Sequence, residues 1–288
     1  MLTPLLGHVG QPLAPHDLWT AWNLEPLVVI SLFVAGWAYR KGRQSVPESR
    51  RRVRERVFFM AGLATVGLAL LSPIEALAGV LVSGHMLQHL ILILVAAPLI
   101  VLGNPNTMMR GLPRDVRKKT GEWRRRLGLT PSRFRWLRHP IAIFLASAGA
   151  IWFWHASVPY ELAATNELAH GVEHISFLLT ALLFWAAVLP GGQIRTMAPG
   201  GGVLLIFAVA MQGVILSALL TFADQPWYPS YREAALAWGV DPLDDQRLAG
   251  LIMWIPSGLI YTAAALGSLV VWIDRSGAPG PMRPDADA

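Results

Sequence analysis

Apolar residues fall in seven long blocks, at about 19–39, 57–78, 84–103, 140–158, 169–189, 201–222 and 250–273, separated by short polar segments. A helix needs about 20 such residues to cross the hydrocarbon layer of a bilayer. The pattern therefore predicts an all-α polytopic membrane protein with seven transmembrane helices, residues 1–288 forming a single domain. Pro73, Pro98 and Pro256 fall inside or near the ends of these blocks. Membrane helices tolerate such breaks where neighbours or water satisfy the freed carbonyls.

The polar segments set the orientation. Eight Lys or Arg lie in 40–56 and eleven in 104–139, with Arg195 in the turn at 190–200 and Arg275 and Arg283 in the tail at 274–288. The remaining segments hold only Arg232 and Arg247 of the 24 basic residues. Basic residues mark the cytoplasmic side, so the N-terminus is expected outside and the C-terminus in the cytoplasm. No Lys or Arg precedes Arg40, so the first span is expected to be an uncleaved anchor. Trp19, Trp22, Trp152, Trp154 and Trp254 then fall at the outer boundary and Trp37 and Trp272 at the inner one, as an aromatic belt.

Composition narrows the class further. Only 15% of the 288 residues are charged and 54% are apolar, which excludes a disordered chain, and the absence of cysteine excludes a disulfide-stapled scaffold. The net charge of +6 sits at span ends and not on one exposed face, so no nucleic-acid partner is expected. The basic loop at 104–139, with Trp123, Phe134 and Trp136 among its arginines, reads first as a topology determinant resting on anionic lipid.

The candidate chemistry is histidine. Seven of the eight histidines fall on the outer side or in the outer third of a span, and only His139 is cytoplasmic; His8 and His16 belong to the N-terminal tail and carry no role. His85-Met-Leu-Gln88-His89 opens the third span and His170-Gly-Val-Glu173-His174 the fifth. In each, positions i, i+3 and i+4 share one helix face, and one turn brings two imidazoles within about 6 Å along the axis. His155 reaches the same level from the fourth span. Strongly polar groups in a span are costly and face the bundle interior with a partner. Neutral imidazole is the commonest metal ligand, so His85, His89, His170 and His174 are the expected ligands, with His155 a fifth. Gln88 and Glu173 are expected to orient the rings, and Glu75 and Met253 to add an oxygen and a thioether. Met86, Met211 and the other methionines are read as packing.

Other readings are weaker on the same residues. His170-x-x-Glu173-His174 matches an inverted zinc-protease motif, but the duplicate carries Gln88 where a general base would stand. A retinal protein needs a lysine in the last span, and the only lysines are Lys41, Lys118 and Lys119. A haem protein, bridging one histidine from each of two helices, predicts a Soret band. A metal-free scaffold would satisfy its histidines with hydrogen bonds. The outer loop at 223–249 has five acids against two arginines, which would concentrate cations nearby.

At these residues the sequence resembles the seven-helix CtaG family of bacterial cytochrome c oxidase assembly factors, the type associated with caa(3)-type oxidase. The resemblance rests on Ser72-Pro73, Ser83-Gly-His85-Met-Leu-Gln-His89 continuing through Ala97-Pro98-Leu99 to Gly103, and Trp154-His155. It continues with His170 and His174, Phe184-Trp185, Asp245-Gln246, Gly250, Met253-Trp254 and Pro256. It implies a non-catalytic role in forming cytochrome c oxidase in a bacterial plasma membrane, at the copper-insertion stage. Copper is accordingly the expected metal, and oxidase subunits and the bilayer the expected partners. The lack of cysteine departs from thiol-based copper capture.

Overall fold

The computed structural model describes residues 13–44, 48–127, 135–189, 197 and 199–276. His8, Arg133, Phe134, Arg195 and Arg283 lie outside the described residues. The structure is 85% helical, with no strand among the described residues.

Among the described residues twelve α-helices follow in order: α1 Pro26–Arg43, α2 Arg50–Leu71, α3 Pro73–Ala78, α4 Val82–Leu102, α5 Asn106–Gly111, α6 Arg114–Arg126, α7 Pro140–His155, α8 Ser157–Thr165, α9 Glu167–Val188, α10 Pro199–Thr221, α11 Arg232–Ala237 and α12 Pro242–Ser276. Among them α4, α9, α10 and α12 are long and apolar enough to cross a membrane, and α7 with α8, bent by 72°, makes a fifth if the pair counts as one span. The two blocks expected nearest the N-terminus take a different form. α1 starts only at Pro26, and its C-terminal turn is basic, with Arg40, Lys41 and Arg43. The 57–78 block is split at Ser72, held extended before Pro73 (φ −91°, ψ 177°), so α2 stops and the short α3 begins.

Prolines shape the helices that carry the site. Pro98 lies just beyond a π-helical stretch, Ile91–Ala96, in the middle of α4. There the Ala97 N–H bonds to Leu92 O. In that register Ile93 O faces Pro98, which has no N–H. Trp185 of α9 satisfies it instead, its indole N–H donating at 2.8 Å. Similarly Pro159 offers no N–H to His155 O, four residues before it, so α7 ends at His155 and α8 turns away. The Tyr228 hydroxyl donates to that carbonyl at 3.0 Å. The expected span at 140–158 is thus broken at Ala156, and His155 is the last helical residue before the bend.

The bundle core lies among α4, α9, α10 and α12, with Phe184, Trp185, Ile206, Val209 and Tyr261 buried together. α12 is longer than expected because its first two turns, with Asp244, Asp245 and Arg247, are polar and extend the 250–273 block backwards. α9 shows why hydropathy alone hides the inward face: Leu168, Val172, Ile175 and Leu179 are exposed on one side, while Phe177, Ala181, Phe184 and Trp185 are buried on the other. Only the polar residues distinguish the two faces.

Close helix approach depends on small residues, as in membrane bundles generally. A Cβ on Gly84 would come within 2.7 Å of both the Leu77 side chain and its carbonyl oxygen. Gly84→Ala should therefore push α3 from α4 and lower stability by about 1–3 kcal/mol. A lowered unfolding midpoint of the purified protein checks this; an unchanged one would mean that the contact yields freely.

Candidate metal centre

The first turn of α4 is positioned from the far end of the chain. Asp245, buried in the first turns of α12, accepts hydrogen bonds from the backbone N–H of Val82 at 2.7 Å and of Ser83 at 3.2 Å, and from the Ser83 hydroxyl. These are donors that a helix N-terminus otherwise leaves unsatisfied, and a carboxylate suits the positive end of the helix dipole. Gln246 beside it accepts from the Trp227 N–H at 2.6 Å and ties the 223–241 segment to α12. Tyr231 from that segment reaches the site itself.

On α4 and α9 the histidine pairs face each other. The rings of His85 and His89 are 4.2 Å apart, as are those of His170 and His174. Between the helices, His85 stacks on His170 at 5.5 Å, and His89 meets His174 edge-on at 5.4 Å. The carboxylate of Glu173 enters between them. Its Oε1 is 3.5 Å from His85 Nε2 and 3.8 Å from His89 Nε2. All three residues are deeply buried, 2% exposed for both histidines and 1% for Glu173. Glu173, expected to orient the rings, thus stands where its carboxylate could also serve as a ligand. α9 turns residue 173 toward α4, with 170 and 174 flanking it.

His85 and His174 are each held through one ring nitrogen. The Tyr231 hydroxyl donates to Ala78 O at 3.0 Å and lies 3.4 Å from His85 Nδ1. Its one hydrogen is committed to Ala78, so it accepts from Nδ1–H and leaves the lone pair on His85 Nε2. Burial pushes the hydroxyls of Tyr228 and Tyr231 up, so both stay protonated. Gln88 donates through Nε2 to Ala69 O at 2.9 Å and to Glu75, which fixes its amide and presents Oε1 to His174 Nε2 at 3.2 Å. Glu75 Oε1 in turn lies 3.8 Å from His170 Nδ1. His155 is turned elsewhere: its Nδ1 lies 2.8 Å from Ile151 O and its Nε2 3.2 Å from Met86 Sδ, its ring 6.5 Å from that of His89.

Several buried polar atoms are left over. His85 Nε2, both ring nitrogens of His89, His170 Nε2 and both oxygens of Glu173 have no hydrogen-bond partner. Each such atom costs about 1–3 kcal/mol if nothing binds it. One proton shared between Glu173 and an imidazole would satisfy two of them and strand the rest. A cation would engage a ligand atom from each residue at once. One ligand atom from each of His85, His89 and Glu173 lies within 4.8 Å of the others. With bonds of roughly 2.0–2.2 Å, the ligands of a tetrahedral ion stand about 3.4 Å apart, so the two imidazole–carboxylate separations of 3.5 and 3.8 Å are nearly right and the widest separation would close by up to about 1.4 Å. The residues present fit a metal ion.

The expected residues His85, His89, His170, His174, Gln88, Glu75 and Glu173 are brought together in the structure. His155 and Met253 face a neighbouring cavity instead. The roles of Tyr231 and Asp245 were not expected: the sequence marks Asp245 only as part of the family resemblance, and Tyr231 lies in a loop read for its acidic charge. Met86, expected as packing, also touches His155, and no local pattern shows a contact between residues 69 positions apart.

The family described as cytochrome c oxidase caa3 assembly factor matches residues 18–275. Uncharacterized proteins of Mycobacterium bovis and Mycobacterium tuberculosis are each 27% identical over 93% of this chain, and one of Mycobacterium leprae is 24% identical over 93%. The chain spans 42% of the length of each of these relatives. No solved structure matches.

Proposed function

Because the chain belongs to the cytochrome c oxidase caa3 assembly factor family, we propose that it serves oxidase assembly by holding copper between α4 and α9. The family suggests a non-catalytic role. The ligands are His85, His89 and Glu173, with the His170 ring 5.5 Å from that of His85, and Gln88, Glu75 and Tyr231 orient the rings. The observation that carries this reading is the set of unpartnered nitrogens and oxygens buried at one level on two facing helices. His174, expected as a ligand, is held at Nε2 by Gln88 and supports the cluster from behind.

The wider setting is part of the same proposal. The chain crosses a bacterial plasma membrane seven times, α1 and α2 with α3 supplying the first two spans, its N-terminus outside and its C-terminus in the cytoplasm. The distribution of basic residues supports this orientation. The copper site then lies near the outer surface, below the acidic segment at 223–249, and hands its ion to oxidase subunits there. The exposed arginines of α6 rest on anionic headgroups at the inner surface.

Glu173→Gln tests the ligand set with little change of shape. Loss of the anionic oxygen should weaken Cu(II) binding by about 10–100-fold, read by competition with a chelator of known affinity. Unchanged affinity would remove Glu173 from the site.

A further inference from the structure

Beside the cluster, and sharing His89 with it, lies a cavity of about 50 Å³ lined by Met86, His155, Phe177, Gln212 and Met253. That is room for an ion and a water, which needs about 10–15 Å³. Three features give the cavity a chemistry of its own. His155 Nδ1 faces the Ile151 carbonyl at 2.8 Å, where only an N–H fits, so the lone pair sits on Nε2. That nitrogen lies 3.2 Å from the thioether sulfur of Met86, and no hydrogen is available to make a conventional bond between two such acceptors. Gln212, also buried, has its Oε1 without a hydrogen-bond partner.

We propose that His155 and Met86, with Met253 from the same cavity, form a second metal site that takes a soft monovalent cation, Cu(I). The proposal rests on the copper-handling reading above. With metal–nitrogen and metal–sulfur bonds of roughly 2.0 and 2.3 Å, a 3.2 Å separation subtends an angle of about 95° at the ion, which trigonal or tetrahedral coordination accommodates with slight opening. Thioether and imidazole together select Cu(I) over harder ions. Charge selects in the same direction. Among the described residues lining the cavity there is no carboxylate, so a divalent ion would enter a low-dielectric space with no compensating anion. The neighbouring site, which has Glu173, suits a divalent ion. Gln212 Oε1 offers a further oxygen, directly or through a water. His89 lines the cavity and also belongs to the first cluster, so the two spaces adjoin.

The test is a titration of the purified full chain in detergent with Ag(I), which mimics Cu(I), and separately with Cu(II). Met86→Leu, close in volume, should weaken Ag(I) binding by about tenfold or more while leaving Cu(II) binding at His85, His89 and Glu173 unchanged. His85→Ala with His89→Ala should do the reverse, sparing most Ag(I) affinity. Equal Ag(I) affinity in Met86→Leu and wild type, or no Ag(I) binding by wild type, overturns the soft site. Lost Ag(I) binding in Met86→Leu with undiminished Cu(II) binding in the His85/His89 variant keeps the soft site and removes the other one. If Met86→Leu does not fold, X-ray absorption of the Cu(I)-loaded wild type decides. A sulfur shell at about 2.3 Å supports the site, and nitrogen and oxygen neighbours alone overturn it.

Discussion

Replacing His85 and His89 together by alanine should abolish stoichiometric Cu(II) binding and lower cytochrome c oxidase activity in cells that depend on this protein. Both rings lie on one face of α4, one turn apart, and both present Nε2 to the Glu173 carboxylate at 3.5 and 3.8 Å. Removing both leaves Glu173 with no imidazole at those distances. A third ring, His170, could not hold an ion with one carboxylate at comparable strength, so affinity should fall by at least about 100-fold. The two readouts must fall together. Copper content that stays at the wild-type level would refute the site. Oxidase activity that survives complete loss of copper would separate assembly from copper handling. Small side chains replace two buried imidazoles here, so the unfolding midpoint of the purified variant belongs beside both measurements.

Asp245→Ala should produce the largest loss of stability of any single substitution at the site. The carboxylate is 1% exposed and holds two backbone N–H groups and one hydroxyl at the start of α4. Alanine strands all three donors in the interior and removes the anion from the helix N-terminus. A cost of about 3 kcal/mol or more follows. Asp245→Asn keeps one acceptor oxygen but turns an NH2 toward a donor, so it should fall between alanine and wild type. Thermal unfolding of the three purified proteins gives the order directly. Because His85 lies only three residues beyond Val82, copper affinity should decline in the same order. An alanine variant as stable as wild type would contradict the clamp.

The parts of this arrangement were unequally visible in the amino-acid sequence. The helices Glu167–Val188 and Val82–Leu102 could be placed within a few residues, because an unbroken apolar run of that length is too long for a strand and matches the thickness of a bilayer. The paired histidines stood out because imidazole inside such a run needs a reason. What spacing could not give was the rotation of each helix. Residues 170, 173 and 174 share a face, yet only the packing of α9 against α4 decides that Glu173 points at two imidazoles while His174 meets Gln88. Apolar residues surround both helices, so hydropathy carries no signal for that choice.

Two further features depended on distant residues. The break at Ala156 has a local cause in Pro159, which a reading for apolar runs passes over because the residues on either side are apolar too. Its consequence, a His155 carbonyl capped by Tyr228, joins positions 73 apart. Asp245 and Tyr231 sit in a segment whose acidic composition looks like solvated surface. Both are buried, Asp245 against the first turn of α4 and Tyr231 against Ala78 and His85, and no periodicity announces that.

Whether imidazoles of α4 and a carboxylate of α9 bind one copper ion together is read most directly by pulsed electron paramagnetic resonance of the Cu(II)-loaded full chain. The unpaired electron couples to the remote nitrogen of each bound imidazole. Wild type should show coupling to at least two histidines, which is lost in the His85→Ala, His89→Ala protein. A spectrum without imidazole coupling, or one identical in the two proteins, would contradict the shared site.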